Sequence, residues 1–337
     1  MELHLLVVFI LLTSLASVNT SYAATSSEAY WKSMLPGTPM PKVLHDLLPS
    51  EKKSDAGEGN KKENSSNTSF QDNAMSFGMN IGGFGINVGN DGAVSLGFGQ
   101  DNDSPLSFTY APSNDQLMSI PNEVPFFLDK DLRPGTKIKI HLAKTGAKAK
   151  FLPREFAERI PFSSSEFSEI LQQFAVKSDS STAELMKKTI KQCEQPAVEG
   201  EDKYCAKSLE GMVDFSISKL GKNVRVIAAE VNGDHKKPQE FSITKGARMV
   251  GDKIVSCHPQ QYLYPVFYCH EMHATRAYLV SLAATDDVTK ANAAAVCHTD
   301  TSKWNPDHLA FHALKVQPGS VPICHFLPED HIVWVAN

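Results

Sequence analysis

The dipeptide Cys-His occurs four times near the C-terminus, as Cys257-His258, Cys269-His270, Cys297-His298 and Cys324-His325. Ten residues separate the first copy from the second, twenty-six the second from the third, twenty-five the third from the fourth and eight the fourth from Trp334. Four of the six cysteines and four of the twelve histidines fall in this one pattern. Cysteines that bridge can do so only when their Cα atoms come within about 7 Å. The pattern therefore limits which segments can be neighbours more than any other feature of the chain.

Whether those thiols are free or bridged depends on the compartment. Leu3 to Leu12 is an apolar run broken only by His4, followed by small residues through Ser21-Tyr22-Ala23-Ala24. This matches the apolar core and cleavage region of a secretory signal peptide over residues 1–23, although Glu2 and His4 stand where Lys or Arg is usual. The run is too short to cross a ~30 Å hydrocarbon core. No other stretch approaches eighteen apolar residues, so the mature protein is expected to be soluble and exported, with no membrane partner. In an oxidising compartment an even set of six cysteines is expected to bridge. Fifteen pairings exist, and only Cys193–Cys205, which bracket a polar loop of eleven residues, has local support. Asn64, Asn67 and Asn102 each open an N-x-S/T acceptor for glycosylation. A net charge of −5 and a pI near 6.2 argue against a nucleic-acid partner.

A chain of 337 residues allows one large domain with tails. Residues 24–49 carry Tyr30, Trp31 and Leu35, then three prolines between Pro36 and Pro41 that forbid a regular ladder. They read as an extended docking segment with apolar anchors. Residues 50–123 begin with a Ser, Asn, Lys, Glu and Gly stretch lacking apolar periodicity, as in disordered linkers. Within it Phe77-Gly78-Met79-Asn80-Ile81-Gly82 returns seven residues later as Phe84-Gly85-Ile86-Asn87-Val88-Gly89. Such a Gly-rich repeat suits short extended pieces.

A globular domain is expected over 124–337. Between Lys130 and Arg154 eight basic residues face Asp131 as the acid of the run, a solvated face or a patch for a polyanion. Ser163 to Glu166 and Ser181 to Glu184 fit capping boxes ahead of helices, and a third helical stretch holds Leu209, Met212 and Val213. Beyond Gly221 the pattern changes to period two in Val224–Ile227, Ile254–Val255, Tyr264–Tyr268, Tyr278–Leu282, Ala293–Val296 and Ile332–Val335. Helices first and strands afterwards predict an α+β domain, with a helical first half and a mostly antiparallel β second half.

Each Cys-His pair ends an apolar run. In a strand, neighbouring residues point to opposite faces, so the four cysteines can share one face and the four histidines the other. Free thiols would suggest zinc, but the short ligand spacings of zinc fingers are absent. With thiols oxidised, the imidazoles of His258, His270, His298 and His325 remain, and all-imidazole sites suit copper, zinc or nickel. His273, His308, His312 and His331 lie close by in sequence. His270-Glu271-Met272-His273 is one residue short of the zincin motif, and no nucleophile elbow supports a Ser–His–Asp arrangement.

The spacing of the four pairs, with Trp334 after them, resembles the signature of the plant BURP-domain family. Phe126-Phe127-Leu128-Asp129-Lys130-Asp131-Leu132 resembles its domain start. Phe151-Leu152-Pro153-Arg154, Lys203-Tyr204-Cys205-Ala206 and Trp304-Asn305-Pro306-Asp307-His308 resemble inner blocks. Tyr30-Trp31 with Leu35-Pro36 and Thr38-Pro39-Met40-Pro41 resembles the segment that follows the signal peptide in the dehydration-responsive and unknown-seed-protein types. The resemblance implies a plant protein secreted to the apoplast or cell wall, or held in seed storage vacuoles, with a role in stress response or development. Pectin is then the polyanion expected as a partner. Some members are copper-dependent peptide cyclases that oxidatively join a Tyr or Trp side chain to another residue of a peptide. Carried over by position, His258, His270, His298 and His325 are the copper ligands, and Cys257, Cys269, Cys297 and Cys324 are structural bridges. Self-processing members repeat a core peptide ending in Trp or Tyr. Here Tyr30, Trp31 and Tyr110 are the only such residues between signal peptide and domain, and none is repeated. Tyr110 is the single candidate core, and a peptide substrate supplied in trans is the expectation for a cyclase.

Overall fold

The computed structural model describes residues 26–49, 77–81, 84–88, 94–98, 126–144, 149–233, 238–286 and 288–337. The expected signal peptide, Asn64, Asn67, Asn102, Tyr110 and Lys148 lie outside the described residues.

The Gly-rich repeat forms strands β1 (Phe77–Ile81), β2 (Phe84–Val88) and β3 (Val94–Phe98), paired antiparallel in that order. One copy of the repeat pairs with the next, Phe77 opposite Val88 and Ile81 opposite Phe84. This part of the expected disordered linker is therefore strand. A repeat of five residues with a short link returns at equal length, so consecutive copies fold back in register.

Residues 26–49 hold two helices rather than an extended peptide. α1 (Ser27–Met34) starts at Ser26, whose Oγ accepts from the Ala29 amide at 3.2 Å, and α2 (Lys42–Asp46) is one turn after Pro41. The prolines lie between these helices, where Pro costs no helical hydrogen bond. The domain continues with β4 (Phe126–Leu128), β5 (Lys137–Ile140), α3 (Arg154–Arg159), α4 (Phe167–Gln173) and α5 (Ser181–Glu194). Ser180 caps α5, one residue before the expected Ser181. Ser163 and Glu166 close a turn ahead of α4, the Ser163 hydroxyl donating to Glu166 Oε2 at 2.7 Å.

The remaining elements build two antiparallel sheets. The first runs β6 (Glu201–Ala206), β11 (Val266–Met272), β10 (Ile254–Gln260), β15 (Ile332–Ala336), β7 (Val224–Ile227). The second runs β4, β14 (Ile323–Phe326), β13 (Lys290–His298), β12 (Thr275–Ala284), β9 (Gln239–Gly251), β5, with β8 (Glu230–Asn232) also on β13. α6 (Leu209–Leu220) lies between β6 and β7 in sequence, and α7 (Leu309–Leu314) between β13 and β14. This is the α+β architecture expected.

The sheets pack face to face. Ile254, Val333 and Val335 of the first meet Val250, Ala277, Ala294 and Val296 of the second, with Leu327. The approach is close enough that a Cβ on Gly251 would come within 2.3 Å of Val335 Cγ1. On its outer face the first sheet sets Val255, Cys257, Phe267, Cys269 and Trp334 against Leu209, Met212 and Val213 of α6. Trp31, Leu35 and Leu44 from residues 26–49 complete that cluster, the Trp31 and Trp334 rings lying 5.3 Å apart. The second sheet's other face carries Phe127, Phe241, Ile243, Val280, Cys297, Cys324 and Phe326.

Candidate functional site

Three disulfides account for all six cysteines: Cys193–Cys205, Cys257–Cys269 and Cys297–Cys324. Cys257 lies directly opposite Cys269 across β10 and β11, and Cys297 opposite Cys324 across β13 and β14, with Cα atoms 3.9 Å apart in both. One bridge thus clamps each sheet from its outer face. Strand alternation then sends the following histidine inward. His258 is opposite Tyr268 and His270 opposite Ser256, so the two imidazoles are diagonal neighbours on the inner face of the first sheet. His298 opposite Ile323 and His325 opposite Val296 do the same on the second.

All four rings are buried. In the first pair His258 Nε2 and His270 Nε2 stand 3.2 Å apart. His270 Nδ1 meets Glu201 Oε1 at 2.8 Å, and the Tyr268 hydroxyl donates to that same oxygen at 2.8 Å. His258 Nδ1 meets His331 Nδ1 at 2.8 Å. Asp330 lies beyond, 3.9 Å from His331 Nε2. In the second pair the His298 and His325 rings stack with centroids 5.6 Å apart. Half-buried Trp304 covers His298 edge-on at 4.9 Å, and His308 packs against Trp304 at 4.8 Å.

Burial pushes the His258 imidazole well below its ordinary pKa, and the neighbouring imidazoles of His331, His270, His325 and His298 push it further. Burial does the same to His298, with His325, His270 and His308 adding. Mainly through burial, His325 falls to about 3 and His331 to about 4. Burial opposes ionisation of Glu201, but His270, the Tyr268 hydroxyl and the Val198 amide outweigh it and hold the carboxyl at about 2. A carboxylate therefore anchors one end of a row of imidazoles in which burial keeps His258, His298, His325 and His331 neutral, the form that binds metal.

The donor set suits an ion in part. Imidazoles sharing one ion at ~2.0–2.1 Å sit about 3 Å apart, and the 3.2 Å between the two Nε2 atoms meets that. The four signature histidines form one pair on each sheet, and imidazoles of one pair act electrostatically on those of the other. Among the described residues, the group that brings three potential ligand atoms within 4.8 Å of one another is Asp129 with Cys297 and Cys324. Both of those sulfurs are already bridged.

Of the other histidines, His331 joins the first pair and His308 borders the second, whereas His273 and His312 are exposed. Glu201 and Tyr268 were not marked by the sequence. Glu201 lies in what reads as a polar loop, and the alternation of charged and larger residues in Glu201-Asp202-Lys203-Tyr204-Cys205 was the available signal for a strand. The basic run does not form one free face. Lys137 pairs with Glu240 at 3.0 Å, Lys144 with Asp46 at 3.8 Å and Arg154 with Asp214 at 2.6 Å, while Lys130, Arg133 and Lys139 are exposed. Among the described residues no helix is long and apolar enough to cross a membrane.

Comparison with known proteins agrees with the signature. Residues 125–336 match the BURP domain model. The chain is 48% identical over 237 residues to BURP domain protein RD22 of Arabidopsis thaliana, covering 68% of this chain and 60% of that protein. It is 47% identical over 241 residues to BURP domain-containing protein 3 of Oryza sativa subsp. japonica, covering 70% and 56%. For BURP domain-containing protein 5 of the same rice the identity is 38% over 326 residues, covering 95% and 90%. The chain thus spans less than two thirds of the length of the first two relatives. A matched region of more than half the chain, containing all four Cys-His pairs, places it in a family: the chain belongs to the plant BURP domain family.

Proposed function

We propose that this is an exported plant protein of the apoplast or cell wall, or of a seed storage vacuole, whose inter-sheet histidines bind copper in a role in stress response or development. The observation that carries the copper site is the buried row of imidazoles, His258 and His270 facing each other by their Nε2 atoms at 3.2 Å. Donors that are all imidazole nitrogen favour copper, which leads the divalent series in affinity. His258 and His270 would hold the ion from one sheet, with His298 and His325 on the facing sheet. Three disulfides fit an oxidising compartment. Exposed Lys130, Arg133 and Lys139 are the contact offered to pectin.

The second reading is a copper-dependent peptide cyclase acting in trans. Bound copper would supply the oxidation that joins a Tyr or Trp side chain to another residue. What supports a substrate in trans is that Trp31, 2% exposed, is locked against Trp334, and Tyr30 is tied to Asp214 and Arg154. Neither aromatic residue of that N-terminal segment is available to be modified.

Metal content of the secreted, oxidised protein tests both. Stoichiometric copper is expected in the native protein and its loss in the variant with His258, His270, His298 and His325 replaced by Ala. No copper in either, or equal copper in both, overturns the site. Incubating the copper-loaded protein with Tyr- or Trp-ending peptides and finding a two-hydrogen mass loss would select the cyclase.

A further inference from the structure

Glu201 and His331 belong to no Cys-His pair, yet each holds the outward nitrogen of one signature histidine. We propose that Glu201 and His331 are the positioning residues of this site, fixing His270 and His258 so that their Nε2 atoms converge. This rests on the histidine pair being the metal site, but the positioning itself is a property of the metal-free protein.

A carboxylate oxygen can only accept, so His270 Nδ1 is the donor across the 2.8 Å contact. In the neutral ring that leaves the lone pair on Nε2, aimed at His258. For His258 to present a lone pair at Nε2 as well, its proton sits on Nδ1, which donates to His331 Nδ1 at 2.8 Å. Glu201 thus sets the tautomer of His270, and His331 that of His258. Tyr268 and the Val198 amide, at 2.8 and 3.1 Å, hold the carboxylate from other sides. Glu201 opens β6, and the Cys193–Cys205 bridge fastens that strand to α5. The one disulfide outside the Cys-His pattern thus secures the strand that carries the anchor. Partners of this kind on metal-ligating histidines typically govern affinity by about 10- to 100-fold.

Imidazole 15N spectra of the metal-free full chain read the tautomers directly. The native protein is expected to show His270 protonated at Nδ1, and Glu201→Ala to lose that preference while Glu201→Gln, whose amide oxygen still accepts, keeps most of it. His331→Phe should release the His258 tautomer and leave His270 unchanged. Copper competition against a chelator should then show about 10- to 100-fold weaker binding in Glu201→Ala and His331→Phe, with near-native binding in Glu201→Gln. Tyr268→Phe, which removes a contact to Glu201 without touching an imidazole, is the control for general loosening of β6 and should keep the His270 tautomer. A native tautomer and native affinity in Glu201→Ala would overturn the proposal. So would a Tyr268→Phe variant as disordered in its tautomers as Glu201→Ala. If the native protein binds no copper, the metal site falls, while the metal-free spectra still decide whether Glu201 and His331 position the rings.

Discussion

At the scale of single residues, the inner face of each sheet carries groups that are hard to bury charged. His325 and His331 titrate at about 3 and about 4 in the folded protein, and His258 and His298 are pushed the same way by burial. An unfolded histidine titrates near ~6.5, so between that pH and the folded value the unfolded chain binds more protons. Stability of the metal-free protein therefore falls as pH drops from about 6.5 towards 4. His331 alone contributes about 3 kcal/mol across its window. Glu201, held at about 2, adds a second loss that begins only below its unfolded value near 4.5. Denaturant midpoints at pH 7, 5.5 and 4.5 check this. The native protein should weaken steadily, and His331→Phe should flatten the slope by about 1.4 kcal/mol per pH unit. A midpoint constant from pH 7 to 4.5 would contradict the buried, neutral histidines. The sequence already carried the residue scale well for the signature. Dipeptides in strands dictate opposite faces, so the split of cysteine from histidine was readable. Glu201 and His331 were not, because their roles depend on which strand pairs with β11 and where β15 begins.

At the scale of elements, the sheet pair is held at close range by the absence of a side chain at Gly251. Its backbone needs no left-handed conformation, so Ala is excluded there by Val335 alone. Gly251→Ala must therefore move β9 or β15, at a cost of about 1–3 kcal/mol for overpacking. Because the two histidine pairs sit on the two sheets so separated, affinity at the proposed copper site should fall with stability. Thermal melting and copper competition on the same variant test the link, and an unchanged melting temperature would refute the close contact. β9 itself shows where sequence patterns fail. It is the longest strand among the described residues, yet three residues between Ile243 and Ala247 face Ser281 alone, and Gly246 takes φ +76° within that bulge. A bulge breaks period two, so a thirteen-residue strand gives no continuous alternation. β6 was missed for another reason. Its bridge to α5 was legible, but its first charged residue, Glu201, serves a neighbouring strand's histidine rather than solvent.

At the scale of the whole molecule, residues 26–49 are part of the domain's outer core. Trp31 and Leu44 are almost fully buried, Trp31 Nε1 donates to the Thr38 carbonyl at 2.9 Å, and the Thr38 hydroxyl donates to the Val224 carbonyl at 2.9 Å. Arg154 lies over the Tyr30 ring and pairs with Asp214, which also accepts from the Tyr30 hydroxyl. The apolar anchors were visible in sequence, but their target was not. Trp334 is three hundred residues away, and no local pattern encodes so distant a contact. Trp31→Ala should cost about 3–5 kcal/mol, as truncations of large buried aromatics do, and uncover the Trp334 ring on the outer face of β15. Tyr30→Phe, which removes one hydrogen bond and keeps the ring, should cost only about 1 kcal/mol. Limited proteolysis separates segment release from general unfolding. Cleavage within 26–49 should precede any cut in the domain for Trp31→Ala, and native and Tyr30→Phe proteins should resist alike. Equal protection of all three would mean that Trp31 does not hold the segment. Early cleavage throughout the domain would mean that the segment is required for the sandwich itself, and the inward histidines would then depend on an anchor on the opposite face of their own sheet.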